Sequence, residues 1–166
     1  MGAFMIPKPQ RHPFEPLYDE NSRILILGSF PSVKSREMLF YYGHPQNRFW
    51  RVMAAVLDSE VPNSIEEKKR LMLSHGIALW DSIASCTIAG SSDSSIKDVV
   101  PNNIGSILEA APIQRICCNG KTSYNCYMKY NYPVTKLEAD ALPSTSPANA
   151  AYSLDRLVGE WQRILR

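Results

Sequence analysis

Three short segments hold the side chains able to do chemistry. The first is GSFPS, Gly28 to Ser32, followed after eight residues by YYGHPQNRFW, Tyr41 to Trp50. Gly, Pro and Ser let the backbone approach a ligand closely, and the aromatics offer flat stacking surfaces. Asn47 either caps the helix that starts there or turns its amide toward the same space. The second is LPSTSPAN, Leu142 to Asn149, where two prolines stiffen a loop whose hydroxyls and N–H groups can hold a phosphate or make an ordinary polar turn. The third, Trp80 to Asp93, is rich in Ser and carries Asp81 as its second residue.

Elements that could position these segments follow from the apolar pattern. Arg23-Ile-Leu-Ile-Leu-Gly28 reads as a buried parallel strand, and Ile77–Trp80, Ile113–Cys118 and Thr135–Leu142 as three more. Residues 29–46 form a long connection with no evident element of its own, a length usually kept for function. Phe49, Val52, Met53 and Val56 recur at helical spacing after Asn47. Ser64 and Glu67 form a capping box for a second helix that ends before Gly76. Residues 81–102 read as a polar stretch, Ile104 to Ala111 and a segment from about Thr122 as helices, and Leu154 to Leu165 as an amphipathic terminal helix. Alternating strands and helices imply a three-layer α/β sandwich with a central, mainly parallel four-stranded sheet. Ligands then bind beyond the carboxyl ends of the strands, which is where the three segments meet. Residues 1–22, with four of the twelve prolines, read as an extended arm, and 23–166 as a single domain.

Composition excludes several classes. A 45% hydrophobic and 20% charged chain of 166 residues suits one soluble domain, and no run of about 18 apolar residues exists to span a membrane. The proline-broken N-terminus is no secretory signal, so a cytoplasmic location is expected. A net charge of +2 permits nucleic acid without arguing for it. Cys86, Cys117, Cys118 and Cys126 form no CxxC, and His12, His44 and His75 lie far apart, so no metal or cofactor is expected.

GSFPS after an apolar strand, HPQNRFW in the next loop and LPSTSPAN near the end, in this order, resemble motifs of the uracil-DNA glycosylase superfamily. HPxNRFW is shared with its mismatch-specific uracil branch. The GSFPS and LPSTSPAN pair, with CNGKTSYNCY from Cys118, is similar to the hypoxanthine-DNA glycosylase branch. The likeness runs from about Arg23 to the C-terminus. Two positions depart from most branches: Phe30 stands where a catalytic Asp or Asn is usual, and Leu142 where motif two begins with His or Asn. The hypoxanthine branch shares both absences.

The resemblance implies a monofunctional glycosylase, without cofactor and monomeric, that flips a deaminated base out of DNA and hydrolyses its N-glycosidic bond. Its catalytic Asn matches Asn47, whose amide would position the water beneath C1′. Tyr42 would stack on the flipped base, with Phe30 the second candidate, unless either ring is core packing. Ser29, Asp81 and Ser85, at or near strand ends, would face the polar edge of hypoxanthine, the alternative for Asp81 being a structural cap of the following turn. Pro143, Ser144, Thr145 and Ser146 would grip the backbone, Ala148 and Asn149 would wedge into the minor groove, and Lys34, Arg36, Arg48 and Lys121 would contact phosphates. Two alternatives stay open: a glycosylase for uracil or thymine opposite guanine, and a binding module that kept the fold without the chemistry.

Overall fold

A computed structural model describes residues 6–165. The elements run β1 (Lys8–Arg11), β2 (Ile24–Gly28), α1 (Val33–Met38), α2 (Phe49–Val56), α3 (Ile65–Ser74), β3 (Ile77–Asp81), β4 (Ile83–Ile88), β5 (Lys97–Pro101), α4 (Ile104–Ala110), β6 (Arg115–Asn119), α5 (Lys121–Cys126), α6 (Tyr132–Thr135), β7 (Ala139–Leu142) and α7 (Leu154–Leu165). A π-helical turn, Tyr127–Asn131, joins α5 to α6.

Strands β3-β2-β6-β7 form a parallel sheet, Leu25 opposite Ala78 on one side and Ile116 on the other. Successive residues of β2 serve different layers because side chains alternate across a strand. Ile26 packs with Phe49, Val52, Met53 and Trp161 beneath α2 and α7, whereas Leu25 and Leu27 pack with Ile104, Ile107, Ile116 and Tyr127 beneath the helices of the other face. This two-sided burial explains why β2 reads as an unbroken apolar run.

Four features differ from the sequence expectation. The Ser-rich stretch after Asp81 is structured: β4 turns away at Ser82 and pairs antiparallel with β1 and β5 in a second sheet. Its pairing with β5 shifts register on either side of Ser85, which breaks the strict alternation that would have marked a strand. Phe30, Ile83, Cys86 and Ile88 form a small core there. The residues read as an arm supply β1, and Leu17 exchanges two 2.9 Å backbone hydrogen bonds with Leu79. The last strand is also shorter than expected. Thr135 ends α6, Lys136 turns left-handed with φ 59°, and β7 starts only at Ala139. The long connection holds one element, α1, capped by Ser32. The capping box expected for α3 forms in part: Ser64 Oγ accepts from the Glu67 N–H at 3.1 Å, while Glu67 Oε1 accepts from the N–H of Asn63, one residue before the cap, at 2.9 Å.

Candidate active site

All four parallel strands deliver residues to one cavity at their carboxyl ends. Gly28 ends β2, Asp81 ends β3, Asn119 ends β6 and Ser144 follows β7, and each lines a hollow of about 370 Å³. The loop from Phe30 to Asn47 closes one side and Thr145 to Ala148 the other. The volume lies within the range of small-molecule sites, and the position follows the strand-end rule.

Asn47 lies on this wall, two residues before α2. Its Oδ1 accepts from the Phe49 N–H at 2.9 Å and from the Thr145 hydroxyl at 2.8 Å. Both lone-pair directions of that oxygen are then occupied, so the Nδ2 amino group is what Asn47 can offer the cavity. Phe49 N–H can only donate, which fixes the flip of the amide without appeal to the hydroxyl. Arg48 is the residue at the N-cap, so Asn47 serves the helix start through an Asx turn and remains a cavity residue at the same time. Thr145 is fully buried and also takes a 3.0 Å bond from the Asn119 Nδ2, while its own N–H donates to Asn119 Oδ1 at 3.0 Å. An Asn47–Thr145–Asn119 lattice thus joins the two loops above the sheet.

Tyr42 sits beside it with one ring face on Phe49, centroids 3.9 Å apart and planes 20° from parallel. Its backbone is left-handed at φ 52°, an unfavourable state for a large residue that the packing must hold. Burial, then the charge of Asp81, pushes its hydroxyl far above the usual tyrosine range, so the ring presents a neutral group. Phe30 lines the same cavity and carries the Arg36 guanidinium 5.4 Å from its ring centre.

Asp81 forms the floor. Its side chain is 5% exposed, and Oδ2 lies 2.7 Å from His12 Nε2, a histidine 4% exposed and contributed by the segment after β1. A Cβ added to Gly28 would lie 2.4 Å from Asp81 Oδ1, so only glycine lets the carboxylate reach this position. Ser29 donates to Asp93 at 3.2 Å on the opposite wall, where desolvation raises the Asp93 carboxyl against a smaller opposing effect of that bond.

The remaining expected residues divide sharply. Ser144, Ser146 and Ala148 line the cavity. Ser144 Oγ accepts from the Ser146 N–H and Ser146 Oγ from the Ala148 N–H, both at 3.1 Å, which leaves each hydroxyl proton available to an acceptor such as phosphate. Lys121, first in α5, and Lys34 in α1 are exposed cations, Lys34 at 3.9 Å from Glu37. Ser85 lies within β4, opposite Arg11 and Val100, and is not part of the cavity lining. Thr145 has its hydrogen-bonding groups committed internally, so it joins loops instead of gripping a phosphate. Arg48 is likewise turned onto the loop: its two terminal guanidinium nitrogens donate to the carbonyls of Tyr152, Ser146 at 2.9 Å and Asn149 at 3.0 Å, and its Nε is buried. Arg36 is held by the carbonyls of Pro31 and Gly90. Asn149 braces the same loop through Ser144 O, and Pro143 O accepts from the Trp161 indole, so neither side of that turn is free to move.

Three cavity residues escaped the sequence, Asn119, His44 and Asp93, and so did His12, which lies behind Asp81. Asn119 was hidden in an Asn-Gly turn signal, and His12 in a proline-rich stretch without periodicity. His44 lines the rim, and its Nδ1 accepts from the Gln46 N–H at 3.1 Å, which leaves the proton on Nε2.

Comparison with known proteins agrees with this geometry. The profile of the uracil DNA glycosylase superfamily matches residues 15–163. A hypoxanthine DNA glycosylase of Methanosarcina acetivorans is 36% identical over 157 residues, 92% of this chain and 96% of that protein. One of Methanosarcina barkeri is 37% identical over 113 residues, 66% and 71% of the two chains. A solution NMR structure from Methanosarcina acetivorans, described as a candidate uracil DNA glycosylase, superposes with a TM-score of 0.81 at 34% identity, covering 96% of this chain and 98% of that one. Family profile, relatives and architecture converge, and this chain belongs to the uracil DNA glycosylase superfamily.

Proposed function

We propose that this protein is a monofunctional DNA glycosylase that releases hypoxanthine from DNA, acting as a cytoplasmic monomer. The observation that carries the proposal is the cavity itself: one aromatic face, one amide donor and one buried carboxylate converge at the strand ends, in a family of base-excising enzymes and beside relatives named for hypoxanthine.

A base bound there stacks on the Tyr42 ring face not covered by Phe49, which offsets part of the few kcal/mol needed to unstack it. As the C1′–N bond breaks, its electron pair leaves with the base and the sugar becomes oxocarbenium-like. Asn47 Nδ2 donates one proton to the oxygen of a water beneath C1′, which keeps a lone pair for the carbon, and its second N–H is free for the sugar or base. Such a dissociative reaction needs an oriented water more than a strong base, consistent with an amide in this role. Addition of the water releases one proton, which balances the negative charge left on the base. Asp81 Oδ1 faces the N1–H of hypoxanthine. Ser144 and Ser146 donate to the phosphate beside the flipped nucleotide, with Lys121 and Lys34 adding a salt-sensitive contribution.

Uracil also carries an N–H that the Asp81 oxygen could receive, so the test is a panel. Duplexes containing hypoxanthine, uracil opposite guanine, thymine opposite guanine and undamaged adenine are compared for base release. Fastest release of hypoxanthine is expected; binding to an abasic duplex without release from any of the four would instead favour a binding module.

A further inference from the structure

His12 and Asp81 form a buried pair whose proton positions follow from their partners. His12 Nδ1 lies 2.9 Å from the Phe14 carbonyl oxygen, which can only accept, so Nδ1 carries a proton. One further proton lies between Nε2 and Asp81 Oδ2, 2.7 Å apart. If it rests on Nε2, the pair is imidazolium and carboxylate. If it rests on Oδ2, the pair is neutral imidazole and carboxylic acid. Asp81 Oδ1 has no proton in either arrangement, and it takes no hydrogen bond from the protein among the described residues. The floor of the cavity is therefore an acceptor-only oxygen, whichever way the proton sits.

We propose that His12 is the residue that fixes this polarity, making the site select bases that present a lactam N–H at the Asp81 edge and reject those with a lone pair there. The selection rests on the glycosylase reading but names a determinant outside the motif loops. Without the ring nitrogen of His12 at Oδ2 nothing fixes the rotation of the carboxyl group or keeps a proton shared with the pair on the Oδ2 side, and an Oδ1 that carried one would donate, which suits the wrong base edge. His12 is held for the task. Its backbone N–H donates to Ala84 O at 2.7 Å, extending the β1–β4 ladder. Its ring packs 4.5 Å from Phe14 and, edge-on, 6.2 Å from Phe30. It touches no bound base, so its role is positioning.

The test compares hypoxanthine with unsubstituted purine, which has a lone pair where hypoxanthine has N1–H. Both are placed opposite the same base, and kcat/KM for release is measured. His12→Phe should narrow the preference for hypoxanthine tenfold or more, mainly by slowing hypoxanthine. His12→Gln, whose amide can still donate to Oδ2, should keep it within about threefold. Asp81→Asn should keep most of it as well, because the new amide nitrogen donates to a neutral His12 and leaves the oxygen facing the base. The double variant His12→Phe/Asp81→Asn should lose it. NMR titration with free hypoxanthine and free purine reads the same preference without catalysis. Discrimination in that titration with no release by the wild type would sink the glycosylase reading and leave the pair standing. Unchanged discrimination in His12→Phe, or complete loss in Asp81→Asn alone, would overturn the proposal.

Discussion

Thr145→Val separates the orienting role of the buried lattice from its structural one. The change nearly preserves volume but removes a hydroxyl that donates to Asn47 Oδ1 at 2.8 Å and accepts from Asn119 Nδ2 at 3.0 Å. Asn119 Nδ2 loses its acceptor, but it is half-buried and lines the cavity, so the stability cost should be only about 0.5–1.5 kcal/mol. Asn47 keeps only its bond from the Phe49 N–H at 2.9 Å, so its amide can rotate away from the cavity. Losing one net hydrogen bond of about 0.5–1.5 kcal/mol that fixes the reactive orientation should lower kcat about threefold to tenfold, with KM little changed. Single-turnover release of hypoxanthine, run with thermal melting and abasic-duplex binding, separates the effects. Thr145→Ser should recover most of the rate. If Thr145→Val melts lower yet turns over at the wild-type rate, the lattice holds the loops together and does not aim Asn47.

Three further outcomes are expected. Gly28→Ala places a methyl 2.4 Å from Asp81 Oδ1 and should displace the carboxylate, cutting hypoxanthine release at least tenfold while abasic-duplex binding falls far less. Arg48→Met should cost about 2–4 kcal/mol of stability by stripping three loop carbonyls of their donor, with no change in the salt slope of DNA binding, whereas Lys121→Ala should lower that slope by about 1. Asp93→Asn should raise the melting temperature at neutral pH. The folded state holds the Asp93 proton more tightly than the unfolded chain, so ionisation above its raised pKa disfavours folding; the gain should vanish once pH falls below the ordinary carboxylate range, where both states are protonated.

The parallel sheet was legible because β2, β3 and β6 are buried on both faces and read as short apolar runs bounded by polar or turn residues. The convergence of the three loops followed from that topology, and Asn47, Tyr42, Phe30, Ser29, Asp81, Ser144, Ser146 and Ala148 do share the cavity. What stayed hidden has local causes. The bulged register of β4 blurred its alternation, so a second sheet passed for a polar loop and Ser85 for a rim residue. Arg48 and Thr145 look like phosphate ligands in sequence, since nothing in a string of letters shows that the partners of Arg48 are loop carbonyls 98 or more positions away and those of Thr145 two asparagines 26 and 98 positions away. His12 meets Asp81 across 69 residues, and a proline-rich stretch gives no period from which to infer that contact.

Asn47 is where chemistry and fold meet, and single-turnover release of hypoxanthine by Asn47→Ala and Asn47→Asp probes it most directly. Loss of the donor should lower the rate about a hundredfold, or about 2.7 kcal/mol of barrier, with abasic-duplex affinity largely kept. Asn47→Asp should be as slow, because a second carboxylate oxygen replaces the amino group facing the cavity. Near-normal release by Asn47→Ala, or faster release by Asn47→Asp, would contradict an amide donor at the centre of the reaction.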